Sequence, residues 1–191
     1  MTNQEKLQIF RETGALLEGH FLLSSGLHSD VYFQCAKVLQ YPKYSTFFCD
    51  EIAKHFSKVE IDVVISPALG GILVGQEVAR LMDKKSIFTE RVENLMTLRR
   101  GFEILHGEKV LICEDVVTTA KSSKEVAAVV EKFGGKVVGL GSIVDRSSDS
   151  LQLDYNFFST IKISAKTYDA NSCPLCESKI AIEKPGSRKI G

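Results

Sequence analysis

A chain of 191 residues suits one domain, and its 24 basic and 24 acidic side chains leave it without net charge. Because no global positive field would draw it to nucleic acid or a membrane surface, and no apolar run approaches the ~20 residues of a membrane-spanning helix, we expect neither partner. Residues 1–6 lack the apolar core of a signal peptide, and five cysteines, an odd number, suit reduced thiols. The sequence therefore predicts a cytoplasmic protein.

The first 40 residues do not read as alternating strand and helix. Residues 4–11 predict a short helix, and apolar pairs or runs at 16–17, 21–23 and 31–35 predict short strands around a polar turn at 24–30. We interpret about 1–40 and a tail of about 165–191 as a hood subdomain on a core of about 41–164. Hood and core together form the predicted single domain, 1–191.

The core alternates between strand and helix patterns, which predicts an α/β fold with a doubly wound parallel sheet. Helices are predicted at 42–58, 72–82 and 124–133. Strands are predicted at 61–66, 85–89, 102–105, 110–113, 136–144 and 155–164.

The most informative stretch is 109–123, in which a buried strand leads to Glu114 and Asp115 and then to a hydroxyl-rich turn before a helix. Backbone amides at a helix N-terminus and Thr or Ser hydroxyls bind phosphate, while carboxylates accept hydrogen bonds from vicinal hydroxyls. The pattern therefore suits ribose 5-phosphate. The alternative is an ordinary strand–turn–helix in which Ser122 caps the helix and Glu125 completes a capping box.

Two other segments could contact a phosphorylated ligand. Gly70 and Gly71 stand between a strand and a helix, where backbone amides can approach a ligand, although a plain tight turn is equally consistent. Residues 90–101 interrupt the alternation and contain Arg91, Arg99 and Arg100. Such a segment suits a phosphate-binding lid or, with equal weight, a solvated β-hairpin arm packed on a partner subunit.

Arg146 follows the strand at 136–144, so it should project at the carboxyl edge of the sheet near the acidic pair. An arginine there suits a planar carboxylate ligand; the alternative is a surface ion pair with Asp145. In the tail, Cys173 and Cys176 suggest zinc, but four ligands are needed, no second cysteine pair follows, and no histidine lies beyond His106. A complete local zinc site is therefore not expected, and half-site metal binding is kept as a minor hypothesis.

Residues 109–123 resemble the phosphoribosyl-pyrophosphate (PRPP) motif of type I phosphoribosyltransferases: an apolar strand, two acidic residues, two apolar residues and a Thr-Thr-Gly-Gly-Ser-like loop. They depart from it at Ala120 and Lys121, where the family usually has small residues. The N-terminal segment is similar to that of the orotate phosphoribosyltransferases at Phe21, Leu23, Ser25, Gly26, Ser29, Tyr32 and Phe33. Ser24 stands where much of that family has a lysine.

The resemblance implies a type I phosphoribosyltransferase fold and the transfer of a 5-phosphoribosyl group from PRPP to orotate, a step of pyrimidine biosynthesis. It implies catalytic roles for Glu114, Asp115 and Arg91, with Mg²⁺ reaching the protein through PRPP and water rather than through a direct ligand. Orotate contacts would come from Ser25, Gly26, Thr118 and Arg146. PRPP contacts would come from Ala68, Leu69, Gly70, Gly71, Arg91, Glu114, Asp115, Val116, Val117, Thr118, Thr119, Ala120, Lys121 and Ser122.

The family also implies a homodimer, and Arg99, Arg100 or Lys121 could stand in for lysines that the family has and this chain lacks. Three alternatives stay open: a transferase for another base, a PRPP-sensing regulator that binds nucleic acid through the same fold, and a catalytically inactive scaffold. The balanced charge and the lack of a basic stripe count against the regulator.

Overall fold

The computed structural model describes residues 1–23, 26–147, 151–163 and 166–185. Its contacts form two compact units, residues 1–38 with 164–191 (the terminal unit) and residues 39–163 (the core unit). That the whole chain acts as one domain stays a prediction. Within the described ranges, no helix is long and apolar enough to cross a membrane.

The helices are α1 Asn3–Glu12, α2 Ala36–Leu39, α3 Pro42–His55, α4 Gly70–Met82, α5 Lys121–Lys132 and α6 Pro174–Glu177, with a 3₁₀ turn at Ala170–Ser172. The strands are β1 Leu16–Leu22, β2 His28–Phe33, β3 Val63–Pro67, β4 Lys85–Val92, β5 Leu95–Leu98, β6 Lys109–Val117, β7 Lys136–Asp145, β8 Asn156–Lys162 and β9 Thr167–Tyr168.

The terminal unit is built on a three-stranded sheet in the order β1-β2-β9. Its first helix begins with a capping box, in which the Thr2 hydroxyl accepts from the Glu5 amide and the Glu5 carboxylate accepts from the Thr2 amide. The tail also reaches β1, because the Glu183 amide donates to the His20 carbonyl and the Glu183 carbonyl accepts from the Leu22 amide, both at 2.8 Å. The two ends of the chain are therefore joined by backbone hydrogen bonds.

The core unit contains a six-stranded sheet in the order β5-β4-β3-β6-β7-β8, with every neighbouring pair parallel except β4 and β5. Helices cover both faces. Gly139 and Gly141 of β7 lie against Ile52 and Phe56 on the side of α3, whereas the intervening Leu140 joins the apolar cluster that includes α5. The predicted doubly wound α/β sheet is confirmed.

The direction of winding changes between β3 and β6. From β3 the chain passes through α4 to β4, toward one edge of the sheet. From β6 it passes through α5 to β7, toward the opposite edge. In open α/β sheets, ligands bind at the carboxyl ends of the strands beside such a switch point. The loops that follow β3 and β6 are therefore the segments that this fold offers to a ligand.

Three local predictions were wrong. Residues 16–17 and 21–22 belong to one strand, β1, which ends before Leu23. Strand β2 begins at His28, inside the predicted polar turn, because it pairs with β1 from Leu22 back to Leu16. Residues 102–105 form no strand: Ile104 is buried in the core, while the Leu105 amide donates to the Glu108 carboxylate instead of to a neighbouring strand.

Candidate functional site

The acidic pair lies inside the end of β6, not after it as predicted, because pairing with β7 continues to Val117. Successive side chains of a strand point to opposite faces. Asp115 lies against Gly70 of α4, and Glu114 lies on the side of Ser123 of α5. The two carboxylates therefore face the first turns of two different helices.

The loop after β3 approaches Asp115 closely. A Cβ atom on Gly70 would stand 2.7 Å from Asp115 Cγ, and one on Gly71 would stand 3.0 Å from the carbonyl oxygen of Cys113. Leu69, the residue before α4, has a side chain that is 75% exposed and caps no amide of the helix, and the Ala68–Leu69 peptide bond is cis. The first amides of α4 are thus open to a ligand beside Asp115.

The hydroxyl-rich turn leads into α5 without a side-chain cap. Ala120 precedes the helix in the left-handed region, with φ of 54°, and its carbonyl accepts from the Lys124 amide at 2.9 Å. The alternative prediction, a capping box of Ser122 and Glu125, is wrong, because Ser122 lies within the helix and Glu125 pairs with Arg91. The helix therefore presents its first amides beside the exposed Thr118 and Thr119.

Burial dominates the electrostatics of the acidic pair. Glu114 is only 7% exposed, and burial, followed by the charge of Asp115, raises its pKa to about 8, against the opposing effects of Ser123 and Arg91. Burial also raises the pKa of Asp115, while the amides of Val116 and Asp115 itself act to lower it. Oε1 of Glu114 is buried and accepts no hydrogen bond from any residue that the structure describes. A buried acceptor without a donor is costly, which indicates a place for ligand hydroxyls.

Residues 85–98 form the β-hairpin of β4 and β5, with Glu93 and Asn94 at positive φ in the turn. Of the two equally weighted interpretations of 90–101, the structure has the hairpin; its packing on a partner subunit stays a prediction. Arg91 donates to the Asn94 carbonyl at 3.0 Å and forms an ion pair with Glu125 of α5.

The other two arginines of this segment differ from each other. Arg100 makes two hydrogen bonds to the Glu90 carboxylate, at 2.7 and 2.8 Å. Arg99 is exposed. Arg91, the arginine predicted to contact pyrophosphate, is instead joined by its ion pair to α5, the helix that follows the hydroxyl-rich turn.

Arg146 lies at the carboxyl edge of the sheet, where its amide donates to the Val117 carbonyl at 2.8 Å. The adjacent Asp145 is only 5% exposed, and its Oδ1 accepts from the Ser147 amide at 2.8 Å. A surface pair of Asp145 with Arg146 does not fit this burial. A cavity of about 270 Å³ begins at Asp145 and Ser147 and extends to Tyr155 and Phe157, but Glu114 and Asp115 do not line it.

Two predicted contacts lie in the terminal unit. Ser25 falls outside the described residues, and Gly26 has a φ of 86° between β1 and β2. A complete zinc site was not expected at Cys173 and Cys176, but His20 of β1 and His28 of β2 each place a ring nitrogen within 4.8 Å of both sulfur atoms. Distance along the chain, not in space, separates these residues.

Comparison with known proteins identifies the family of this chain. Residues 48–175 match the family model for the phosphoribosyl transferase domain, which defines the chain as a phosphoribosyltransferase. The orotate phosphoribosyltransferases of Caldanaerobacter subterraneus subsp. tengcongensis and Chlorobium phaeobacteroides are 51% and 52% identical to it, over 100% of this chain and 100% and 98% of theirs. The chain belongs to the orotate phosphoribosyltransferase family.

The predicted type I phosphoribosyltransferase fold is confirmed by a solved structure. Orotate phosphoribosyltransferase from Aeropyrum pernix superposes with a TM-score of 0.72, covering 90% of this chain and 96% of that one at 21% identity.

Proposed function

We propose that this chain transfers the 5-phosphoribosyl group of PRPP to orotate, giving orotidine 5′-monophosphate and pyrophosphate in the synthesis of UMP. The observation that carries the proposal is the acidic pair of buried Glu114 and half-buried Asp115, set between the first turns of α4 and α5. Orotate is chosen over other bases because relatives at about half identity along the whole chain carry that name.

Glu114 and Asp115 bind the ribose. Each carboxylate accepts hydrogen bonds from the vicinal hydroxyls, and Oε1 of Glu114 is an acceptor that lacks a donor among the described residues. Hard carboxylate oxygens are also the donor type that Mg²⁺ prefers, so the pair fits an ion held through the ribose hydroxyls and water. When bound, Mg²⁺ would neutralise charge on the departing pyrophosphate.

The N-terminus of α5 binds the 5′-phosphate, and the N-terminus of α4 binds the pyrophosphate. The amides that begin α5, with Val116 to Ala120 leading into them, surround the 5′-phosphate, and Thr118, Thr119 and Ser122 add hydroxyl donors. Lys121, the first residue of α5, is exposed and adds a positive charge. The pyrophosphate lies at the loop of Ala68 to Gly71, where the amides of α4 begin.

Arg91 approaches the pyrophosphate by exchanging the Glu125 carboxylate for phosphate oxygens. The exchange replaces one charge-assisted pair by another, so it costs little when the ligand arrives. The β4–β5 hairpin that carries Arg91 is the part of the core that we expect to contact a partner subunit in a homodimer.

During the reaction the bond from ribose C1 to the pyrophosphate oxygen breaks and a bond to the orotate ring nitrogen forms, while that nitrogen loses its proton to solvent. Positive character develops at C1, and Glu114 and Asp115 lie beside the ring that carries it. Arg146 binds the orotate carboxylate, with Thr118, Ser25 and Gly26 as further contacts. The protein thus acts by positioning and by electrostatics.

The test is an assay of PRPP, Mg²⁺ and orotate, followed by loss of orotate absorbance, with adenine, guanine, hypoxanthine and uracil in parallel. Of these five bases, we expect only orotate to cause the release of pyrophosphate. The double variant Glu114→Gln with Asp115→Asn should abolish turnover, and Glu131→Gln, an exposed change on α5, should not. Turnover with another base only, or full activity of the double variant, would overturn the proposal. We also propose a cytoplasmic location without nucleic-acid or membrane partners.

A further inference from the structure

We propose that His20, His28, Cys173 and Cys176 form a tetrahedral zinc site that joins the N-terminal hairpin to the C-terminal tail. One ligand atom from each side chain lies within 4.8 Å of all the others. His20 belongs to β1, His28 to β2, and the two cysteines flank and enter α6. All four belong to the terminal unit, whereas the residues assigned to PRPP belong to the core unit.

The distances between these atoms are close to those of a zinc tetrahedron. With bonds of about 2.3 Å to sulfur and about 2.0–2.1 Å to nitrogen, a tetrahedral ion separates its ligand atoms by roughly 3.4 to 3.8 Å. Nε2 of His20 lies 3.6 Å from the Cys173 sulfur and 3.8 Å from the Cys176 sulfur. Nδ1 of His28 lies 3.4 Å from the Cys176 sulfur and 2.9 Å from Nε2 of His20. Of these four pairs, three are already at a tetrahedral spacing, and the two nitrogens need to separate by a few tenths of an ångström.

The hydrogen bond on the far side of the His20 ring fixes its role. Nδ1 of His20 lies 2.8 Å from the carbonyl oxygen of Ile180. A carbonyl only accepts, so Nδ1 carries the hydrogen and Nε2 directs its lone pair at the cluster. Metal-bound histidines almost always donate their other ring N–H in this way. One cation would satisfy this lone pair together with those of His28 and both sulfurs.

The tail presents the two sulfur atoms together because of its local structure. Cys173 precedes α6, and its carbonyl accepts from the Glu177 amide at 3.1 Å, so the Cys-Pro-Leu-Cys segment closes one tight turn. Cys-x-x-Cys spacing is typical of zinc sites. All five cysteines are free thiols, and Cys173 and both histidines are buried while Cys176 is exposed, which leaves an entry path for the ion.

Four protein ligands fill the coordination of zinc, so this site is structural rather than catalytic. Its ligands are up to 156 residues apart in the chain. An ion there would hold β1, β2 and the tail together, in addition to the backbone bonds of Glu183. Loss of the ion should therefore loosen the terminal unit.

The experiment uses full-length protein without an affinity tag, purified without added metal, and measures zinc by elemental analysis. We expect about one zinc per chain, and about none in Cys176→Ser and in His28→Gln. The matched controls are Cys35→Ser, a buried cysteine of the same unit, and His106→Gln, an exposed histidine of the core unit; both should keep the zinc.

Cobalt substitution gives a readout that does not depend on folding yield or on transferase activity. Zinc is removed with a zinc-selective chelator and Co²⁺ is added, and we expect the intense visible bands of tetrahedral cobalt with sulfur-to-cobalt charge transfer. Cys176→Ser should weaken the charge transfer. The chelator should also lower the melting temperature of the wild type but not of Cys176→Ser.

Several results would overturn the zinc site. They are a wild type without zinc whose cobalt spectrum stays octahedral, zinc retained in both variants, or a Cys173–Cys176 disulfide in protein purified under reducing conditions. None of these depends on the substrate of the enzyme, so the zinc site and the orotate assignment can fail separately.

Discussion

Gly70, at the start of α4, lies against the carboxylate of Asp115 at the end of β6, with no space between them for a side chain. A Cβ atom on Gly70 would stand 2.7 Å from Asp115 Cγ. The contact joins the loop assigned to pyrophosphate with the pair assigned to ribose. One methyl group at Gly70 should therefore disturb both parts of the PRPP site.

Gly70→Ala should lower kcat/KM by about 10²-fold, because a shift of about 1 Å in a catalytic carboxylate has that effect. Overpacking should also reduce the free energy of unfolding by about 1–3 kcal/mol. Steady-state kinetics and urea unfolding measure the two effects. Leu73→Ala is the control, since that residue of α4 is 49% exposed, belongs to no assigned contact and should change neither quantity much. Unaltered kinetics in Gly70→Ala would mean that Asp115 can move without cost.

The ion pair of Arg91 with Glu125 gives a second prediction. Glu125→Gln removes the competitor for Arg91, so the KM for PRPP should fall by about two- to fivefold, within the ~0.2–1 kcal/mol of an exposed pair. Arg91→Ala should instead reduce kcat/KM by at least about tenfold, because a bidentate phosphate contact is lost. Stability should change little in both variants, since the Arg91 side chain is 39% exposed.

The neighbouring pair of Arg100 with Glu90 is the control for this prediction. Glu90→Gln breaks the hydrogen bonds of 2.7 and 2.8 Å and releases Arg100 in the same hairpin. If only Arg91 contacts pyrophosphate, this variant should leave the KM for PRPP unchanged. A fall in KM equal to that of Glu125→Gln would show a general effect of charge.

The sheet could be predicted because its signals are local. β3 and β6 are short apolar runs, α4 and α5 have helical spacing, and an acidic pair before a hydroxyl-rich turn stands out in the sequence. The hairpin of β4 and β5 could not be separated from a loop, because its turn uses Glu93 and Asn94 at positive φ rather than Asn-Gly or Asp-Gly. The contacts of Gly70 with Asp115 and of Arg91 with Glu125 each join a helix to a strand distant in the sequence. No local sequence pattern therefore predicts them.

The ligands of the proposed zinc site show the same limit. Cys173 and Cys176 were visible as a pair, but His20 is 153 residues from Cys173 and on another strand. A signal was nevertheless present, because His20 and His28 are eight residues apart across a segment predicted to fold back on itself. Two histidines on one hairpin can complete a Cys-x-x-Cys pair wherever the tail returns to it.

Lys121 stands where the family usually has a small residue, and its position at the start of α5 gives a third prediction. Lys121→Gln should raise the dissociation constant of PRPP by about threefold, the effect of losing one exposed charge near a phosphate. Lys124→Gln, one turn further along the same helix and also exposed, should have a smaller effect. Calorimetric titration at low and high salt measures both, and screening should reduce the difference between them. Equal effects of the two changes would mean that Lys121 faces solvent and does not contact PRPP.

The raised pKa of Glu114 gives a prediction about stability and pH. Burial raises this pKa from 4.5 to about 8, so between these values the folded protein holds a proton that the unfolded chain has released. Stability from this group is therefore present below about pH 4.5 and is lost as the pH rises toward 8. Glu114→Gln keeps the shape of the side chain and cannot ionise.

Relative to the wild type, Glu114→Gln should thus gain stability steadily between pH 5 and pH 8, the window set by the pKa shift. Urea unfolding of both proteins across this range gives the difference, which cancels the titration of all other groups. Glu131→Gln, on the exposed face of α5, should show a difference independent of pH. A flat difference for Glu114→Gln as well would mean that Glu114 is ionised in the folded protein, with a cation or water inside the site.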